Sequence, residues 1–231
     1  MGRRPDGRER NAGSSRRVGT EWFEPLYQEA GGDAALVPWA DLAPKGPLVE
    51  WLEEQGEPAG GGRAVVIGCG LGDDAEELAR RGWKVTAFDL APTAIEWCRR
   101  RFASSDVDYR VADLYALPSC WSRAFDLVVE VYTFQALPAE IRPEAMDKAA
   151  DLVAEGGRLV LVCRLREAGE EAEGPPWPLT REELTRLEKA GLSLLESVEV
   201  GDPDDRPVRR LRQVYRRGSA GGAKSGPRTP P

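Results

Sequence analysis

Residues 63–74 read RAVVIGCGLGDD, and no other stretch limits the chain's possible folds as tightly. The apolar run Ala64, Val65, Val66 and Ile67 stops at three alternating glycines, Gly68, Gly70 and Gly72, and two acids follow at once. A short apolar run ended in this way predicts a buried strand, a tight turn and the start of a helix. A Cβ in the turn would hold the main chain away from a bound molecule. Glycine at alternate positions therefore suggests a nucleotide-like ligand lying against the backbone.

The two acids bear on which ligand. A dinucleotide fingerprint needs its third glycine one position after Gly72, where this chain has Asp73, followed by Asp74. A pyrophosphate at that helix N-terminus would meet two carboxylates. S-adenosylmethionine carries a sulfonium and no phosphate, and suits the turn better. Independently of any ligand, Asp73 or Asp74 is expected to cap the helix, with Glu76 or Glu77 completing a capping box.

Composition narrows the chemistry. The 231 residues contain no histidine, which excludes His-based triads and His-ligated metals. Cys69, Cys98, Cys120 and Cys163 show no CxxC spacing, so no disulfide framework or metal site is expected. With 41% hydrophobic residues, the chain suits one α/β domain with a full core. The formal charge is −7, but residues 1–19 and 216–231 carry +4 each, leaving −15 for the middle. Such a middle repels nucleic acid, so no nucleic-acid partner is expected. No apolar run spans a membrane and no signal-peptide pattern opens the chain, so no membrane partner and a cytoplasmic location are expected. We read 1–19 as a disordered basic tail, 20–216 as the domain and 217–231 as a second disordered tail.

Along the chain, Trp22, Phe23, Tyr27, Trp39 and Trp51 crowd a short span. Leu48, Val49, Trp51 and Leu52 predict the buried face of a helix. The other aromatics either pack an N-terminal helix onto the domain or, through Tyr27 and Trp39, form a lid that keeps water from a reacting centre. After a linker at Glu57–Gly62 and the first strand, a helix is predicted over Glu76–Arg81. A second strand, Trp83–Phe88, finishes at Asp89, where a carboxylate can accept from both ribose hydroxyls. Pro92 opens a helix with Ile95, Cys98 and Phe102 at helical spacing. The third strand, Val107–Val111, leads to Asp113, which is either a turn-starting residue or the partner of an adenine amino group, with the Leu114 N–H meeting the ring.

The fourth strand, Phe125–Val131, is almost wholly apolar except for Glu130, as a strand covered on both faces should be. The loop YTFQALP follows, at the edge where open α/β sheets build their sites. Further elements are a helix over Pro138–Ala154, a fifth strand over Arg158–Cys163, a charged loop leading to Pro175, Pro176, Trp177 and Pro178, and a helix capped by Thr180 with Glu183 in a capping box. Leu192–Val200 predicts strand six. After a turn at Asp202–Pro207, an antiparallel last strand runs through Leu211 and Tyr215.

This order resembles the class I S-adenosylmethionine-dependent methyltransferases. The strings VYTFQALPAEIRPEAMDKAADLVAEGGRLVLV and EGPPWPLTREEL are similar to the thiopurine and thiol S-methyltransferase-like branch. The resemblance implies an α/β, Rossmann-like, seven-stranded, mostly parallel sheet with helices on both faces and an antiparallel last strand. It implies S-adenosyl-L-methionine as cofactor, with Gly68, Cys69, Gly70 and Gly72 along its methionine part. Asp89 would take the ribose with Leu90 beside it, Asp113 and Leu114 the adenine, and Tyr27 and Trp39 would cover it. Two positions depart from the pattern: Val66 stands where the wider fold has an acid, and Val131 stands before YTF, with Glu130 one step back. Strand faces alternate, so a one-residue shift can turn that carboxylate away from the site.

Methyl transfer from a sulfonium asks mainly that donor and nucleophile be aligned and dry. A soft nucleophile such as a thiolate fits a chain without histidine. Tyr27, Trp39, Tyr132, Phe134 and Trp177 are expected to enclose a small, largely apolar methyl acceptor, with Glu130 and Tyr132 as base candidates. The rival expectations are N-, O- or carboxyl-methylation on the same fold, a non-catalytic S-adenosylmethionine-binding protein, and a dinucleotide oxidoreductase.

Overall fold

The computed structural model describes residues 19–56, 61–201 and 208–219. The two tails and the turn expected at Asp202–Pro207 fall outside these residues, apart from Gly19 and 217–219 at the tail margins, as do residues 57–60 of the expected linker. Two N-terminal helices, α1 (Phe23–Ala30) and α2 (Gly46–Gln55), precede the sheet. Then come β1 (Arg63–Ile67), α3 (Asp73–Arg80), β2 (Lys84–Asp89), α4 (Pro92–Arg101), β3 (Asp108–Val111) and β4 (Phe125–Val131). α5 (Arg142–Leu152), β5 (Val153–Arg164), α6 (Arg181–Lys189), β6 (Leu192–Val200) and β7 (Arg210–Arg217) complete the order.

The seven strands form one sheet in the order β3-β2-β1-β4-β5-β7-β6. β7 alone is antiparallel, pairing with β5 on one side and β6 on the other. The expected fold class is therefore the one observed. The order reverses between β1 and β4, and ligands of open α/β sheets bind beyond the strand carboxyl ends at such a reversal.

Alternation along the strands fills both faces. Val65 and Ile67 of β1 join Val128, Leu159 and Leu161 under α5 and α6, with Met146, Leu184 and Leu187. Ala64 and Val66 join Leu127, Val129 and Val160 on the other face, against Leu48, Trp51 and Leu52 of α2, Leu78 of α3 and Ile95 of α4. Two buried faces explain why the central strands read as continuous apolar runs. Val49 lies off the core of α2 and is only partly buried. A third cluster packs Tyr27 and Ala30 of α1 onto Ala94 and Trp97 of α4. Glu24 fixes that contact by accepting from both the backbone N–H and the hydroxyl of Thr93, in the first turn of α4.

Several expected boundaries move. α3 starts at Asp73, and the residue before it, Gly72, makes no side-chain cap. The expected capping box of Asp73 or Asp74 does not form, because both acids are drawn elsewhere. Asp73 pairs with Arg101 at 2.8 Å, and Asp74 accepts the Lys45 N–H at 2.8 Å. They still complement the helix dipole from its first turn. The helix expected from Pro138 begins at Arg142, after a turn, and β5 starts five residues earlier than expected, at Val153. The capping box of Thr180 and Glu183 forms as expected.

Candidate active site

Beyond the carboxyl ends of β1, β2, β4 and β5 lies a cavity of about 840 Å³. Its lining includes Tyr27, Trp39, Gly68, Cys69, Gly70, Asp89, Leu90, Asp113, Leu114 and Tyr132 from the expected site. Sequence reasoning therefore brings ten of its residues to one place. Gly72, Glu130, Phe134 and Trp177 are not part of this wall.

The glycine turn is built differently from the expectation. All three glycines have left-handed φ, 59° at Gly68, 53° at Gly70 and 92° at Gly72, a region that penalises any Cβ. At Gly68 the missing Cβ makes room for Thr133, whose Cγ2 would stand 2.9 Å from it. At Gly72 it makes room for the Tyr109 hydroxyl, 2.6 Å away. Two of the three glycines thus admit protein side chains. Gly70 alone opens towards the aromatic pair Tyr27 and Trp39, at 3.4 and 3.7 Å.

Asp89 closes the turn from below. Its Oδ2 accepts the Gly70 N–H at 3.0 Å and its Oδ1 the Ala91 N–H at 2.9 Å. Burial pushes its carboxyl up to about 6 despite those donors. Each oxygen keeps a lone pair for a ligand hydroxyl. Asp113 meets its turn-starting reading, its Oδ1 accepting the Tyr115 N–H at 2.9 Å, and it also lines the cavity.

The N-terminal aromatics serve as packing and as wall. Tyr27 is 1% exposed, set edge-on between Trp39 and Trp97, and its hydroxyl accepts from Trp39 Nε1 at 2.9 Å. Trp22 and Phe23 stack at 4.1 Å and also face the cavity. The hook that brings the segment after Trp39 down is Asp74, through Lys45.

On the other side stand β4, β5 and β7. Glu130 is fully buried and is not among the residues lining the cavity, so it does not take the position expected of a base candidate. Its Oε1 accepts the N–H groups of Thr133 at 2.6 Å and Phe134 at 2.9 Å, while its Oε2 has no partner. Burial raises its carboxyl to about 8. Tyr132 lines the cavity with φ 62°, strained for a non-glycine residue. Burial pushes its phenol up, while Arg210 and Arg164 pull the other way. Phe134 lies in the core, and Trp177 donates its backbone N–H to Gln135 O, so Pro175 and Pro176 supply the wall instead. Lys45, Gln135, Arg164 and Arg210 were missed by the sequence reading and make this half cationic and polar, where an apolar pocket was expected. Arg164 had a signal: it directly follows an apolar strand at its carboxyl end. Arg210 had none short of knowing the strand pairing.

Comparison with known proteins adds independent findings. The family described as Methyltransferase domain matches residues 64–157. A probable thiol methyltransferase 2 of Arabidopsis thaliana is 28% identical over 161 residues, covering 69% of this chain and 70% of that one. A ubiquinone biosynthesis O-methyltransferase of Xanthomonas axonopodis pv. citri is 35% identical over 133 residues, but the match covers only 53% of this chain and 54% of that one. Among solved structures, the Burkholderia thailandensis 1,6-didemethyltoxoflavin-N1-methyltransferase with bound 1,6-didemethyltoxoflavin and S-adenosylhomocysteine superposes with a TM-score of 0.67. That likeness covers 88% of this chain and 92% of that one at 18% identity, and it concerns the fold.

Proposed function

Because the chain belongs to the class I S-adenosylmethionine-dependent methyltransferases, we propose that its cavity sets that cofactor against a small molecule and methylates a soft nucleophilic atom, a thiolate foremost. The observation that carries this reading is the division of one cavity into two chemically different halves. Asp89 and Asp113 line it after β2 and β3, Arg164 and Arg210 line it on β5 and β7, and Lys45 lines it together with the acids that partner it, Asp41 and Asp74.

The acidic half suits a cationic nucleoside and opposes a pyrophosphate. Asp89 would hold the ribose hydroxyls, Asp113 and the Leu114 N–H the adenine, and Gly68 to Gly70 the methionine part. Tyr27 and Trp39 would cover it and exclude water. When bound, the cofactor supplies a methyl group on a sulfonium, whose bonding electrons remain on its sulfur as the nucleophile attacks.

What the chain does not place in the cavity supports the soft nucleophile. No histidine exists, Glu130 is not among the lining residues, and the Tyr132 phenol is raised by burial, which keeps it a hydrogen-bond donor at neutral pH. An acceptor that ionises unaided near neutrality needs no more than alignment, and nearby cations favour its anion. The thiol methyltransferase relative agrees with this reading.

A screen with labelled S-adenosylmethionine against thiols, halides, amines and phenols tests it. Label on thiols, with a pH profile that follows the acceptor's own ionisation, is the expected result. The O-methyltransferase relative favours a second reading, transfer to a hydroxyl. Label on phenols alone, with an essential enzyme base in the profile, would establish that reading instead.

A further inference from the structure

Gln135 sits in the short 3₁₀ turn Phe134–Ala136 after β4, is 3% exposed and lines the cavity. Its Oε1 accepts the N–H of Arg164, the last residue of β5, at 2.6 Å. A backbone N–H can only donate, so this contact fixes which end of the amide is the oxygen. Among the described residues, the Nε2 at the other end has no partner. It is not sealed in the interior either, and the space that this side chain borders is the cavity. Gln213, the other buried glutamine among the described residues, is satisfied at both ends: its Oε1 accepts from the Tyr215 hydroxyl at 2.6 Å and its Nε2 donates to Ser197 Oγ at 3.1 Å. The main chain around Gln135 is also fixed. Its carbonyl accepts the Trp177 N–H at 2.6 Å, while Glu130 and Arg142 hold the N–H and the carbonyl of Phe134 before it. An amide held in this way cannot swing to find a second partner.

We propose that Gln135 is a specificity-determining hydrogen-bond donor, and that the methyl acceptor is a small thiol carrying a carbonyl oxygen or ring nitrogen that takes the Nε2 hydrogen bond. This rests on the reading above, in which the side of the cavity over β4 and β5 takes the acceptor. A ligand that fills this side displaces water from Nε2. One that offers a lone pair in return keeps the N–H satisfied, whereas one that offers a methylene leaves a buried donor unmet. Sites built around such a donor reject analogues lacking the accepting atom far more strongly than an apolar pocket rejects a changed methylene. Gln135 selects the acceptor without taking part in the transfer, and its amide does not titrate, so the selection is the same across the pH range in which a thiol ionises.

Calorimetry on the full chain saturated with S-adenosylhomocysteine tests the donor without turnover, using methylated products, whose sulfur does not ionise. The probes are the ortho, meta and para isomers of (methylthio)acetophenone, each paired with its isopropenyl analogue, in which a CH2 group replaces the carbonyl oxygen. For at least one isomer the ketone should bind about tenfold tighter than the alkene. Gln135→Glu keeps an oxygen for the Arg164 N–H and removes the donor, and should bring that ratio to one or below. Gln135→Met removes both and should bring it to one. Should either variant fail to unfold in urea as the parent does, the other decides, and should both fail, the parent ratio decides alone. A parent with no ketone preference for any isomer, or an unchanged ratio in a folded variant, overturns the proposal. A labelled-transfer assay on the corresponding thiols separates this result from the broader reading. Ketone preference without product upholds the donor and removes thiol methylation, whereas equal product from both kinds of thiol, with no preference in binding, does the reverse.

Discussion

Thr133 donates its hydroxyl to the carbonyl of Ile67 at 3.0 Å, tying the loop after β4 to the strand end that precedes the glycine turn. The absent Cβ of Gly68 leaves the space that Thr133 fills. Gly68→Ala therefore suffers twice, from a left-handed φ and from overlap with Thr133, and should destabilise the fold by about 2–4 kcal/mol. Urea denaturation of Gly68→Ala, Thr133→Ala and the double variant checks this. The double variant should lose less than the sum of the singles, because the overlap is gone while the strained φ remains.

Asp89 anchors the turn and faces the cavity at once. Asp89→Ala should weaken S-adenosylmethionine binding by about 1–3 kcal/mol, the range for a charge-assisted hydrogen bond. Its carboxyl titrates near 6 in the free protein, and a ligand that prefers the ionised form loses affinity below that pH. Calorimetry between pH 5 and 8 should give a fall of up to about tenfold per pH unit below 6, absent in Asp89→Asn.

Glu130 makes the fold itself pH-sensitive. Its folded carboxyl is raised to about 8 by burial, against an ordinary value of 4.5, so the folded chain keeps a proton that the unfolded chain has already lost. For a raised acid, the sign runs against alkali. The contribution of Glu130 to stability is greatest below about 4.5 and declines as pH rises towards 8, by at most about 1.4 kcal/mol per unit. Glu130→Gln, which keeps an acceptor for the Thr133 and Phe134 N–H groups, should flatten the pH profile in this window. A parallel profile in parent and variant would show that the carboxylate is ionised throughout.

Arg142 is buried and donates to Phe134 O at 3.0 Å, to Leu137 O at 2.8 Å and to the carboxylate of Glu183. Arg142→Met should cost about 2–4 kcal/mol, since it leaves two buried carbonyls and part of an ion pair unmet. Arg142→Lys should recover only a fraction, because an ammonium cannot serve all three acceptors in one plane. Urea midpoints of both variants decide the matter.

Trp39 Nε1 donates to the Tyr27 hydroxyl, and Tyr27→Phe removes that acceptor from a part-buried donor. The expected loss is about 1–2 kcal/mol of stability. The fluorescence change in the urea transition should report it.

These contacts explain which parts of the fold and the site are legible in the amino-acid sequence. YTF, ALP and RP are one mechanical unit: Glu130 holds the N–H groups of Thr133 and Phe134, and Arg142 holds the carbonyls of Phe134 and Leu137. Their spacing is local, so a string can reveal it. The glycine turn, Asp89 and Thr180 with Glu183 are readable for the same reason. Arg164 and Arg210 meet only because β7 pairs with β5, and no local pattern encodes that pairing. The fate of Asp73 and Asp74 likewise depends on distant partners, Arg101 and Lys45, which outcompete a local capping box. Residue type alone suggests Phe134 and Trp177 for the pocket, but the strand register sends one into the core and holds the other by its backbone.

The insertion of β7 between β5 and β6 also fixes an order of assembly during synthesis. Asp89, Asp113 and the glycine turn leave the ribosome well before Arg210 does. The part of the cavity wall contributed by β1 to β3 can therefore be made while the part contributed by β7 is still missing.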